Sequence, residues 1–138
     1  MTLTFKIPSD KEFSEVCSLI KEYELDNRNL QKEEFTIALQ NAQLVAFGRL
    51  RKHADCVELC SLGVLKTNRN KGIGTALINY MISHTTPPVY LVCIIPDFFS
   101  RFGFKLATNC PASIKDKINY CSCQLVVPET YVAMVLEN

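Results

Sequence analysis

With 138 residues, 48% of them hydrophobic and 21% charged, the chain is long enough to bury one good core and short for two typical domains. Fifteen basic residues against fourteen acidic ones leave a formal net charge of +1, so no global field draws the protein to nucleic acid or to an anionic membrane. No apolar run approaches the roughly 20 residues that span a bilayer, the opening MTLTFKIPSD lacks the regions of a signal peptide, and seven cysteines, mostly set in apolar patterns, suit free thiols in a reducing cytoplasm.

Ser9 with Glu12 three residues on makes a capping box, and Phe13, Val16, Cys17 and Ile20 then repeat at helical spacing, which predicts a first helix over about 10–23. The polar ELDNRNLQKEE leads away as a loop with a helical turn. FTIALQNAQLVAFGRLR reads as two strands joined at Asn41 to Gln43, and CVELCSLGVL as a further strand after KHAD. These connections are too short for crossovers, so the sheet starts antiparallel. In the last strand Val57 and Leu59 share one face, whereas Leu62 and Val64 have the opposite parity. Either a β-bulge near Cys60 and Ser61 restores the phase, or the strand is buried on both faces.

Ile73, Ala76, Leu77, Tyr80 and Met81 predict a helix over about 72–84. TTPP ends it, and VYLVCII is the most continuous apolar run, the mark of a central strand. Strand, glycine loop, helix and strand make a βαβ unit, whose strands should be parallel. Pro96 opens a short helix stopped by Gly103, PASIKDKINYC predicts another, and TYVAMVL a closing strand whose edge could pair across a homodimer. Cys121 and Cys123 stand too close for a zinc knuckle, and His53 and His84 have no ligand pattern around them, so no metal is expected.

The stretch TNRNKGIGTALINYM sets two glycines in front of a helix. Such a loop leaves backbone N–H groups free at the positive end of the helix dipole and can hold phosphate, or it is simply a tight turn. Arg69 and Lys71 could add charge or stay in solvent. A Walker loop fails, because no lysine followed by Ser or Thr comes after these glycines. A dinucleotide fingerprint fails at Leu77, where glycine or alanine is needed.

Arg69, Gly72 and Gly74 form R-x-x-G-x-G, which resembles the acyl-CoA pyrophosphate loop of the GNAT superfamily of N-acetyltransferases. The resemblance runs from LVAFGRL through VELCSLGV to FFSRFGF and the last strand, and the late P-x-x-I-x-x-K and cysteine look most like amino-acid N-acetyltransferases of the N-acetylglutamate synthase type. It implies one α/β (α+β) domain over residues 1–138, a mixed, mostly antiparallel sheet flanked by helices, with a bulged fourth strand splaying from the fifth. Acetyl-CoA would be the co-substrate, with pantetheine along Leu62, Gly63 and Val64 and pyrophosphate on the loop of Arg69, Asn70, Lys71, Gly72, Ile73, Gly74 and Thr75. Phe99 stands where the family often has a tyrosine that protonates the departing thiolate.

Direct transfer to an amine needs a lone pair, and amines near pKa 10 are almost wholly protonated at pH 7. The family resemblance puts a glutamate base at Glu58, which on its own reads equally as a solvent-facing strand residue. Arg49, Arg51 and Arg101 are candidates to pair with an acceptor carboxylate, and Cys60 and Cys93 lack the histidine partner that an acyl-cysteine route needs. The implied activity is acetyl transfer from acetyl-CoA to a small primary amine such as an amino acid. The alternative is a catalytically weak acyl-CoA-binding or sensing module on the same fold.

Overall fold

The computed structural model describes residues 2–123 and 130–138, except the side chain of Cys123, so the cysteine pair at 121 and 123 lies partly outside the described residues. Contacts divide the chain into two compact units, Met1–Leu50 with Cys60–Thr85, and Arg51–Leu59 with Thr86–Asn138. The chain passes between them within two of its strands and once more after Thr85.

In the first unit β1 (Thr4–Lys6) pairs antiparallel with β2 (Phe35–Gln40), and β2 with β3 (Gln43–Lys52). The β2–β3 turn uses Asn41 and Ala42 at φ 51 and 61, the two positive dihedrals that a tight hairpin requires. Helix α1 (Asp10–Glu22) begins at the expected box: the Glu12 amide donates to Ser9 Oγ at 3.2 Å and the Ser9 amide to Glu12 Oε1 at 2.8 Å. Val16 and Ile20 of α1 pack on Phe35, Ile37, Leu44 and Phe47, which fuses helix and hairpin into one core. The later half of β4 (Val57–Val64) and helix α2 (Ile73–Ser83) complete this unit.

In the second unit the early part of β4 runs parallel to β5 (Val89–Cys93), with Glu58 opposite Tyr90, as the βαβ reading requires. Helix α3 (Pro96–Ser100) starts at its proline and ends before Gly103, whose φ of 97 suits glycine. Strand β6 (Lys105–Leu106) and helix α4 (Ala112–Cys123) follow, and β7 (Val132–Leu136) pairs antiparallel with both β5 and β6. Val89, Leu91, Phe99, Phe104, Ile114 and Met134 are buried here. The strand order is β1-β2-β3-β4-β5-β7-β6, a mixed and mostly antiparallel seven-stranded sheet with helices, as expected.

Both readings of the irregular strand hold in part. Ser61 takes φ 51, a left-handed interruption where the apolar phase slips, and Glu58, Leu59, Cys60 and Ser61 are all buried in succession. Strands β1 and β6, three and two residues long, were not expected, since neither is long enough to show alternation.

Candidate active site

The glycine loop enters α2 without a side-chain cap. Gly72 is the N-cap residue at φ 79, and a β-carbon built there would meet no protein atom within 4 Å. The first helical bond runs from the Ala76 amide to the Gly72 carbonyl at 3.1 Å, so the amides of Ile73, Gly74 and Thr75 have no partner inside the helix. No acidic side chain occupies the first turn. These features suit a diphosphate: free donors, the positive end of a dipole, and room where a side chain would otherwise stand.

A pocket of about 430 Å³ adjoins the loop, lined by Tyr23, Leu25, Leu62, Gly63, Val64, Arg69 and Asn70. Ser61 aims the strand end by donating its hydroxyl to the Asp26 carbonyl at 2.9 Å. Gly63 is required by crowding, because a β-carbon would lie 2.4 Å from Phe47 Cζ. The Leu65 amide ties the end of β4 to the Val45 carbonyl at 3.0 Å. Asn70 stands at φ 64, and Lys71 is exposed. Ile73 turns its side chain into the core, so it can offer a ligand only its amide.

Arg69 is held by the protein itself through one of its nitrogens. Its Nε donates to the Val64 carbonyl at 2.9 Å and its guanidinium lies 5.1 Å from the centre of the Tyr23 ring, so it braces the loop against the strand end. The Val64 carbonyl, at the end of the strand along which pantetheine is expected, thus already has a donor.

Glu58, in the second unit, does not face solvent: it is 0% exposed. Its Oε1 lies 2.8 Å from His53 Nε2 and its Oε2 lies 2.9 Å from Lys117 Nζ. The Lys117 contact is an ion pair rather than a well-aligned hydrogen bond. Sequence reasoning missed both partners. His53 lies in the β3–β4 connection, and Lys117 is 59 positions beyond Glu58 on a helix where lysine normally marks the wet face. The one available signal was that Lys117 falls three residues after Ile114, on the face that packs inward.

The arginine candidates separate. Arg49 is wholly buried, with Nε and Nη2 on Glu34 Oε1 at 2.9 and 2.7 Å, Nη1 on the Arg28 carbonyl at 2.9 Å and Nη2 on the Asn29 carbonyl at 2.6 Å. It holds a loop and, being wholly buried, is out of a substrate's reach. Arg101 is exposed and stacks on Phe98 at 4.6 Å. Arg51 keeps a buried Nη1 without a hydrogen-bond partner among the described residues. Phe99 is buried, edge-on to Phe98 and Phe104, so its ring serves the core. Burial pushes the Cys93 thiol up, and its sulfur lies 3.7 Å from Met134 Sδ, a poor setting for a nucleophile.

No curated protein matches this sequence. Solved structures share the fold. N-acetylglutamate synthase from Neisseria gonorrhoeae, complexed with coenzyme A and N-acetyl-glutamate, gives a TM-score of 0.76 at 16% identity, covering 100% of this chain and 36% of that one. Rv2747 from Mycobacterium tuberculosis, in complex with CoA and NLQ, gives 0.77 at 16% identity, with 98% and 99% covered. The ribosomal-protein-S18-alanine N-acetyltransferase from Escherichia coli gives 0.66 at 14% identity, with 99% and 94% covered. The chain thus spans about a third of the length of the N-acetylglutamate synthases it matches. A family model described as the acetyltransferase (GNAT) family matches residues 5–104, and with the uncapped glycine loop and the pocket beside it this makes the chain a member of that family.

Proposed function

We propose that the protein moves the acetyl group of acetyl-CoA to the primary amine of a small metabolite such as an amino acid, by direct attack in a ternary complex. The observation that carries this is Gly72: left-handed backbone, open space on the β-carbon side, and three helix amides beyond it without helical partners. Diphosphate would rest on those amides, and pantetheine would lie along Leu62 and Gly63 in the pocket. When bound, acetyl-CoA supplies an activated acyl carbon. The chain supplies its orientation, an amide near Leu62 for the oxyanion, and a carboxylate-centred group at Glu58, four residues before Leu62 on the same strand, to deprotonate the amine. Solved structures with N-acetylglutamate synthase activity in their names favour an amino-acid acceptor, while the alanine N-acetyltransferase of a ribosomal protein marks the polypeptide alternative.

A weak acyl-CoA-binding module is the second reading, favoured by Phe99, which cannot protonate a thiolate and is packed in the core. Titration calorimetry with CoA, together with thiol release from acetyl-CoA against a panel of amino acids and spermidine, separates the two. Transfer predicts CoA binding and acceptor-stimulated thiol release; binding without release selects the module. Gly72→Ala, less strained at a φ of 79 than a β-branched residue and meeting no protein atom, should lose CoA affinity by about tenfold or more in a variant whose circular dichroism matches wild type. Undiminished affinity in that variant removes the phosphate cradle.

A further inference from the structure

Glu58 is the carboxylate of the reading above, yet both its oxygens are already engaged and its side chain is only 1% exposed. An incoming ammonium would have to enter space that the protein's own side chains fill. Of the three groups in the cluster, His53 reaches outward furthest, at 14% side-chain exposure against 7% for Lys117.

Hydrogen-bond chemistry fixes how the imidazole is used. A carboxylate only accepts, so His53 Nε2, 2.8 Å from Glu58 Oε1, is the nitrogen that carries the shared proton. In the neutral ring the lone pair then sits on Nδ1, which has no hydrogen-bond partner among the described residues. The backbone is held as well, since the His53 amide donates to the Cys56 carbonyl at 2.8 Å and closes the β3–β4 turn. We propose that His53 Nδ1, rather than Glu58, takes the proton from the acceptor ammonium, and that Glu58 and Lys117 are positioning residues that set its tautomer and ring orientation. The inference rests on the transferase reading.

The charges are consistent. Glu58 from β4 faces the ring, Lys117 from α4 pairs with Glu58 and offsets its charge, and Asp55 and Cys56 follow His53 in its own turn. Protonated His53 would form a charge-assisted pair with Glu58. The acceptor R–NH3⁺ gives one proton to Nδ1, and the freed lone pair attacks the acetyl carbon. The C–N bond forms, the C–S bond breaks as the tetrahedral adduct collapses, and the nitrogen sheds its second proton. The CoA thiolate takes up one proton, and His53 returns its own to solvent. One acetyl group moves and one proton is released overall.

Two measurements test this. Long-range proton–nitrogen NMR of histidine-labelled protein, with His84→Gln assigning the two rings, should show neutral His53 protonated at Nε2. A proton on Nδ1 overturns the inference regardless of turnover. In the thiol-release panel, His53→Ala should lose about 100-fold or more in kcat, with CoA affinity within about threefold, and added imidazole should restore at least about tenfold. The acid limb of the rescued rate should follow the rescuing base when 4-methylimidazole replaces imidazole. If His53→Ala, or His53→Gln should the alanine variant not fold, stays within about threefold of wild type while Glu58→Gln collapses, Glu58 is the base and only this inference fails. If no acceptor releases thiol although CoA binds, the transferase reading fails and takes this one with it.

Discussion

Ser61 donates its hydroxyl to the Asp26 carbonyl at 2.9 Å while its own backbone stands at φ 51. The irregular residue of β4 is thus tied to the loop after α1, and the strand end that lines the pocket inherits its direction from that tie. Left-handed backbone costs a non-glycine residue about 1–2 kcal/mol, and a net hydrogen bond is worth about 1 kcal/mol. Ser61→Gly exchanges one for the other and should leave stability within about 1 kcal/mol of wild type. Ser61→Ala keeps the strain and loses the bond, so it should fall by about 1–2 kcal/mol. Urea unfolding ranks the two, and an alanine variant more stable than the glycine one would mean that strand pairing alone sets the irregularity.

Arg49 offers a second test, because sequence reasoning made it a substrate candidate and the structure makes it a buttress. Its guanidinium spreads over Glu34 and two loop carbonyls and lies 5.7 Å from the Phe35 ring centre. Lysine cannot reproduce that planar fork. Arg49→Ala should therefore cost about 3–5 kcal/mol, as for breaking a buried ion pair, and Arg49→Lys somewhat less. The loss should appear in the unfolding midpoint. A folded variant with raised KM for the amine and unchanged stability would restore the substrate role.

These two residues show what kind of information the sequence carried. Helix α1, its capping box, the hairpin turn at Asn41 and the interruption near Ser61 were legible because each is a local pattern: a period, a cap, a turn dihedral, a parity slip. Glu58 was legible as a position on a strand and not as an environment. Its solvent-facing alternative fails because His53 and Lys117 close over it, and those contacts join residues 5 and 59 positions away. Periodicity assigns lysine to water, so a lysine buried by an ion pair leaves no trace in the pattern. Arg69 was read through its charge, and no local pattern announced the Val64 carbonyl that its Nε reaches.

Acid should loosen the entry to α1. The Lys6 ammonium, 2.8 Å from Glu12 Oε1, and the Ser9 amide, also at 2.8 Å, hold the Glu12 carboxyl down to about 2 from an ordinary value of 4.5. A carboxyl lowered by folding adds stability above its unfolded value, and that contribution fades as pH falls from about 4.5 toward about 2. Below that window the folded and unfolded states bind the same number of protons at this site. Glu12→Gln should flatten the corresponding part of the stability-versus-pH curve while changing little of its shape above pH 5. Urea midpoints between pH 2 and 6 decide it, and identical slopes in the two proteins would show that the Lys6 pair contributes nothing in solution.

Cys56 sits in the turn between His53 and Glu58, and its thiol is pushed up to about 12, first by burial, then by the Asp55 and Glu58 charges. Against an ordinary thiol near 9.0, three units leave about 1000-fold less thiolate at pH 8. Iodoacetamide should therefore modify Cys56 at least about 100-fold more slowly than free cysteine, some rate being recovered through the higher nucleophilicity of a basic thiolate. Asp55 also accepts from the Ser113 amide at 3.1 Å, at the start of α4, and the side-chain carbonyl left by Asp55→Asn could still accept there. That substitution removes a charge that raises the thiol and should quicken labelling, yet leave it slower than free cysteine, because burial is the larger cause. Peptide mapping of the labelled chain reads both rates. Wild-type labelling at the free-cysteine rate would mean that the turn opens on the labelling timescale, and with it the enclosure that holds His53 against Glu58.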